Sequence, residues 1–171
     1  MVHTGHMSSL GSIDLHHVRR CVELAREALE AGDEPFGSVL VDSDGRVLFE
    51  DRNRTGGGDA TRHPEFTIVE WAVRNLDAQA RSSATVYTSG EHCPMCSAAH
   101  AWVGLGDIVV AVTGAQLTAW REEWSLDAGP VAALPIQQVA PSIRVHGPVN
   151  EVSAEMRSLH RRNAGLPAES A

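Results

Sequence analysis

Between Asp14 and Gly32 the apolar residues Leu15, Val18, Val22, Ala25 and Leu29 return at steps of three and four. That spacing gathers them on one face of a helix, and Gly32 stands where the helix would stop. The period then changes. The run "FGSVLVDSDGRVLFEDRN" holds two β-rich segments around Asp44-Gly45, a pairing that tight hairpin turns favour because glycine tolerates positive φ. Two antiparallel strands are expected, followed by a loop in "TGGGDAT". Helical spacing resumes in "HPEFTIVEWAVRNLDAQ", with Pro64 in the first turn, where a missing N–H is harmless. Ile68, Val69, Ala72, Val73 and Leu76 would form its buried face.

The pattern continues with a strand in "ATVYTS", a helix in "PMCSAAHAWVGL", a strand in "DIVVAVT", a helix in "AQLTAWREEW", a strand in "PSIRVHG" and a terminal helix from Glu151. Helices and strands in the order α-β-β-α-β-α-β-α-β-α call for an α/β fold, a five-stranded sheet covered by helices on both faces, with parallel strands after the opening hairpin. The stretch from Asp127 to Pro141, with Gly129, Pro130, Pro135 and Pro141, is the loosest. No internal repeat or second domain is evident. Residues 1–12 read as a loose, polar leader and 13–171 as a single domain.

Composition narrows the function classes. A chain of 171 residues buries roughly 70% of the surface its unfolded form exposes, so its core needs no disulfide or metal. Three cysteines, an odd count, and a leader without the apolar centre of a signal peptide point to the cytoplasm. No apolar run approaches the ~20 residues that span a bilayer. A net charge of −8 argues against affinity built on many neutralised phosphates, so nucleic acid is an unlikely partner. The one dense basic stretch, "LHRRN", reads as a solvated helix end that offsets the dipole. Cys21, inside the first helix, reads as a small core residue.

The chemistry gathers at two helix starts. His63 and Glu65 open one helix, Cys93 and Cys96 another, and each follows a β-rich segment. In an open α/β sheet such positions meet at the edge where ligands bind. Two thiolates and an imidazole suit zinc, and three protein ligands leave its fourth position open to water. Glu65, two residues from His63, would reach that water as a proton shuttle and need not bind metal. Two other readings stand beside this one. "CPMC" would serve as a redox pair, although "HPE" would then go unexplained. A closed structural zinc site would need a fourth ligand, for which His92, His100 or Cys21 would have to serve. His100 reads as a surface or core-edge residue.

The pieces "PFGSVLVDSDGRVL", Asn53-Arg54, "HPE" and "CPMCSAAHAW" followed by "DIVVAVTGA" together resemble the cytidine deaminase superfamily, in the branch that holds guanine, cytosine and tRNA adenosine deaminases. The resemblance covers roughly residues 14 to 115. It implies a three-layer α-β-α sandwich with a five-stranded mixed sheet. It also implies one zinc ion per chain on His63, Cys93 and Cys96, with Glu65 as the catalytic proton carrier. Asn53 would hydrogen-bond the base, an amide being able to donate and accept at once, and Phe36 would shape the pocket wall. Two positions depart from the family pattern. Pro64 replaces an alanine, and His92 stands where a proline precedes the first cysteine, either as a solvated loop residue or as a substrate contact.

The reaction implied is hydrolytic loss of ammonia from a free nucleobase or base-like heterocycle of guanine, cytosine or aminotriazine type, with tRNA adenosine or a nucleoside or nucleotide as the alternative. "CPMC" followed by small residues resembles guanine deaminases more than cytidine deaminases. In "AWREEWSLDAG", Glu122 or Glu123 would supply a second carboxylate facing the amino group and Trp124 a stacking cover, against the plainer reading of a solvated acidic face with a core tryptophan. The family also implies a homodimer with helices near the metal site at its interface.

Overall fold

The computed structural model describes residues 12–169; of the leader, all but Ser12 lies outside the described residues. The elements are α1 (Ser12–Glu30), β1 (Gly37–Val41), β2 (Val47–Arg52), α2 (Pro64–Asn75), α3 (Ala78–Ser83), β3 (Thr85–Thr88), α4 (Pro94–Trp102), β4 (Ile108–Val110), α5 (Gly114–Glu123), α6 (Ile136–Val139), β5 (Val145–His146) and α7 (Asn150–Asn163). The sheet order is β2-β1-β3-β4-β5. β1 pairs antiparallel with both β2 and β3, while β3, β4 and β5 run parallel. The parallel arrangement expected after the hairpin therefore begins at β3, and β1 is the strand that opposes its neighbours.

Strand alternation divides the core into two sides. Val39, Val41, Tyr87 and Val109 face α1, α5 and α7, meeting Val18, Cys21, Trp120, Val152 and Met156. Leu40 and Val86 face Ile68, Val69 and Ala72 of α2, and Ile108 and Val110 meet Ile136 and Ala140. This is the α-β-α sandwich. Each fully buried Leu or Ile, such as Leu40, Ile68 and Ile108, contributes ~1.5–3 kcal/mol through removal of apolar surface from water.

Three local expectations need correction. Val73 is 52% exposed, because at 3.6 residues per turn it lies about 80° around the helix from Glu65, the centre of the buried stripe. The helix expected to run to Gln79 ends at Asn75. Asp77 then starts α3, its side chain accepting a hydrogen bond from the Ala80 N–H at 2.8 Å, because a cap competes well with continuation. The loosest stretch contains the one-turn helix α6, and the last strand shrinks to Val145 and His146. Gly45, with φ 82°, does turn the β1–β2 hairpin.

One close approach matters for the site. A Cβ on Gly37 would lie 2.4 Å from Leu24 Cβ and 2.6 Å from the Cys21 carbonyl oxygen. The backbone of α1 thus rests directly on the first residue of β1. No helix among the described residues is long and apolar enough to cross a membrane.

Candidate functional site

His63 and Cys93 are the N-cap residues of α2 and α4, and each helix has proline at its first turn. The sequence stops each extended segment there because the proline cannot continue a ladder yet fits a helix start. The two helices pack side by side on one face of the sheet, which brings their N-termini together beyond the end of β3.

His63, Cys93 and Cys96 converge, their ligand atoms all within 4.8 Å of one another. His63 Nδ1 lies 3.5 Å from Cys93 Sγ and 3.6 Å from Cys96 Sγ. Tetrahedral zinc with Zn–S near 2.3 Å and Zn–N near 2.0–2.1 Å sets sulfur and nitrogen ~3.6 Å apart, so the donor set fits that ion. Both cysteines are free thiols. Cys93 is pushed down to about 4 by the hydrogen bond from the Cys96 thiol and by His63, against the opposing effect of burial. Cys96, holding the shared proton and buried, is pushed up. Among the described residues no other such three-donor group occurs. Cys21 belongs to the core on the opposite side of the sheet.

The structure corrects both histidine expectations near the thiols. His100 is fully buried, and its Nε2–H donates to the Gly106 carbonyl at 2.8 Å. His92 is buried rather than solvated and meets His100 edge-on, ring centroids 5.4 Å apart. Burial lowers the pKa of both, that of His92 well below the ordinary histidine value. Neither belongs to the three-donor cluster, so the fourth ligand of a closed site is not found among them.

Glu65 is buried at 5% exposure. Its Oε1 is met by the Thr88 hydroxyl at 2.8 Å and the Ser38 hydroxyl at 3.0 Å. Those two residues are register partners on β3 and β1 and lie on the α2 side of the sheet by alternation. Its Oε2 lies 4.0 Å from Cys96 Sγ. One oxygen is therefore pinned to the sheet and the other faces the sulfur cluster. Burial raises the pKa of Glu65 above the usual carboxylate range, which brings it nearer to neutrality, where a group can both take and give a proton.

Asn53 is also buried, its backbone N–H donating to the Phe36 carbonyl at 2.9 Å. Its Oδ1 accepts from the Thr55 N–H at 2.9 Å and the Thr55 hydroxyl at 2.8 Å. The expectation that this amide both donates and accepts toward a ligand is thereby narrowed, leaving Nδ2 as the donor.

A cavity of about 740 Å³ reaches the cluster at Cys93; Phe36, His92, Glu122 and Trp124 also line it. Glu123 is not among its lining residues. Its carboxylate instead holds Arg157 at 2.7 Å, and Arg157 and Arg161 lie over the Trp124 ring. The sequence reading missed several lining residues, including Glu91, Trp120 and His160. Glu91 ties two element starts together, accepting from Gly114 N at 2.6 Å and Ile136 N at 2.9 Å. His160, assigned above to a solvated basic end, continues the buried stripe of Val152, Met156 and Leu159, and that periodicity was the available signal.

The model of the cytidine and deoxycytidylate deaminase zinc-binding region matches residues 12–112. Among curated proteins, a probable cytosine deaminase of Schizosaccharomyces pombe is 30% identical over 64% of this chain and 67% of its own. The guanine deaminase of Bacillus subtilis is 40% identical over 50% of this chain and 55% of its own. A tRNA-specific adenosine deaminase of Agrobacterium fabrum is 36% identical over 49% and 55% respectively. The chain thus spans little more than half the length of the last two. The solved guanine deaminase from Nitrosomonas europaea superposes with a TM-score of 0.70 at 20% identity, covering 91% of this chain and 85% of that one, a likeness of fold.

Proposed function

Because the chain belongs to the family defined by the cytidine and deoxycytidylate deaminase zinc-binding region, we propose that it is a hydrolytic deaminase that releases ammonia from an uncharged nucleobase or base-like heterocycle. The observation that carries this reading is the placement of three donors at zinc spacing beside a buried carboxylate with one oxygen pinned to the sheet and the other facing the sulfur atoms. His63, Cys93 and Cys96 hold one zinc ion per chain. Zinc in such a three-ligand set lowers the pKa of water to about 7 and so supplies a nucleophile at neutral pH.

The chain's own residues do the rest. Glu65 takes a proton from the attacking water at Oε2 and passes it to a ring nitrogen of the heterocycle. It then takes a second proton from the new hydroxyl on the carbon and gives it to the amine as the C–N bond breaks. Ser38 and Thr88 fix the carboxylate so that it moves protons along one direction. Asn53 offers Nδ2 to an acceptor on the base, and Phe36 forms part of the wall. Trp124 and Glu122 both line the cavity, and in this reading Trp124 forms part of the cover while Glu122 faces the amino group.

Charge favours a ligand without phosphate. Glu34, Glu91, Glu122 and Asp127 line the cavity against one cation, Arg121, whose guanidinium is already bonded to the Asp127 carbonyl. A nucleotide or RNA would meet carboxylates where it needs cations. The similarity to a tRNA-specific adenosine deaminase keeps RNA as the second reading. The test is ammonia release by the zinc-loaded protein with guanine, cytosine, adenine, the aminotriazines ammeline and ammelide, cytidine, adenosine and tRNA. Turnover of a free base supports the proposal; turnover confined to tRNA replaces it with the second reading.

A homodimer completes the proposal. Trp102, the last residue of the helix that carries Cys96, is 87% exposed, and Val73 on neighbouring α2 is 52% exposed. Large apolar side chains so exposed suit an interface formed by these two helices, at the ends away from the sulfur cluster. Light scattering at micromolar concentration should give a dimer, shifted toward monomer by Trp102→Asp. A monomeric parent protein would reject the interface.

A further inference from the structure

Most of the cavity's lining comes from one stretch of chain between β4 and α6, including Leu117, Glu122, Asp127 and Leu134. The stretch changes faces of the sheet. Trp120 packs in the cluster shared with α1 and α7, whereas Ile136, where the stretch ends, packs with Ile108 and Val110 on the other face. Residues 128–134, between these two anchorages, are all exposed. Among the described residues, a bond from the Leu134 N–H to the Ala132 carbonyl at 2.8 Å is the one backbone hydrogen bond inside that run. The placement of this wall is therefore decided at its two ends.

Both ends are held by one side chain. Glu91 Oε2 accepts from the Gly114 N–H at 2.6 Å, and its Oε1 accepts from the Ile136 N–H at 2.9 Å. Each donor is the first residue of a helix, where N–H groups lack intrahelical partners and a carboxylate is favoured. Neither end has a substitute. The capping box of α5 runs between Thr113 and Gln116 and leaves the Gly114 N–H outside it, and Pro135 brings no capping side chain to α6. Glu91 is itself fixed, its own N–H donating to the Val112 carbonyl at 3.0 Å, and it precedes Cys93 by two residues. One carboxylate thus ties the start and the end of the cavity wall to the segment that carries a sulfur donor.

The geometry points to Glu91 as a positioning residue, whose two oxygens set the wall formed by 114–136 against Cys93 and so determine how a substrate is held there. With both oxygens engaged, it acts through the wall and not on the reacting atoms. What the wall holds rests on the deaminase reading; the clamp itself does not.

The test is amide hydrogen exchange on the zinc-loaded parent and on Glu91→Gln, with zinc content measured on both and expected to match. Glutamine keeps the size of the side chain, but one of the two N–H groups then faces an amide NH₂ in place of an acceptor oxygen. Exchange across 114–136 should quicken about tenfold or more while β3 and β4 keep their parent rates, which marks local opening and not a weaker fold. With whichever amine the parent turns over, KM should rise about tenfold and kcat change less than about threefold, as expected when binding is lost and proton transfer is intact. Glu91→Asp, with two acceptors on a shorter stem, should fall between the two proteins in both readings. If the Gln variant does not fold, the Asp variant is compared with the parent under the same expectation.

Parent-like exchange in 114–136 overturns the proposal, as do equal acceleration across the whole sheet, loss of zinc, or a KM that stays at the parent value. If the parent turns over no amine, the deaminase reading falls, and the exchange result alone decides whether Glu91 sets the wall.

Discussion

Replacing Glu65 by glutamine is expected to cut turnover by roughly 10²–10⁴-fold, the contribution of a positioned proton carrier, while zinc content and fold stay as they are. Glutamine keeps an oxygen for the hydroxyls of Ser38 and Thr88, which lie 3.0 and 2.8 Å from Oε1, so the buried hydrogen bonds survive. What is lost is the ability of the second oxygen to take a proton. Alanine would be a poorer probe, because it empties the buried space that the carboxylate fills and mixes a folding cost into the kinetics. The measurement is ammonia release alongside metal analysis of the same sample. A glutamine variant that turns over at the parent rate would remove Glu65 from the role assigned to it.

Cys93→Ala should strip the metal. Loss of one of three protein donors is expected to exceed the ~10–100-fold weakening typical of losing an outer-shell partner, so dialysed protein should emerge largely free of zinc and inactive. The fold should persist, since the hydrophobic clusters on both sides of the sheet are assembled without Cys93. Circular dichroism and metal content decide the matter together. A fully loaded, active variant would exclude Cys93 as a ligand, and a variant that unfolds would show the site to be structural.

Long amphipathic stretches were the legible part of the fold. Helices α1, α4 and α7 and the β1–β2 hairpin follow directly from apolar period and from Asp44-Gly45. Direction in the sheet was less legible, because β1 and β3 have similar apolar content whichever way they pair, and the antiparallel β1–β3 contact is settled by what packs on each face. Short elements such as α6 and β5 lack enough residues to show a period. At the site, residue types that cluster at helix starts announced His63, Glu65, Cys93 and Cys96. Ser38 and Thr88 were harder to see, since a lone hydroxyl in a strand is common; only its inward position in an apolar run distinguishes it. His160 was hidden by its neighbours, for two arginines made its turn look solvated although its spacing from Val152 and Met156 placed it inward.

The contact at Gly37 gives the site its datum. Ser38 follows Gly37 in the chain, and Gly37 lies against the backbone of α1 with no side chain between them. The height of the Ser38 hydroxyl, and through it the seat of the Glu65 carboxylate, is thus levelled from the far side of the sheet. A shim of one methyl group there would tilt the carboxylate without touching any residue around the sulfur atoms.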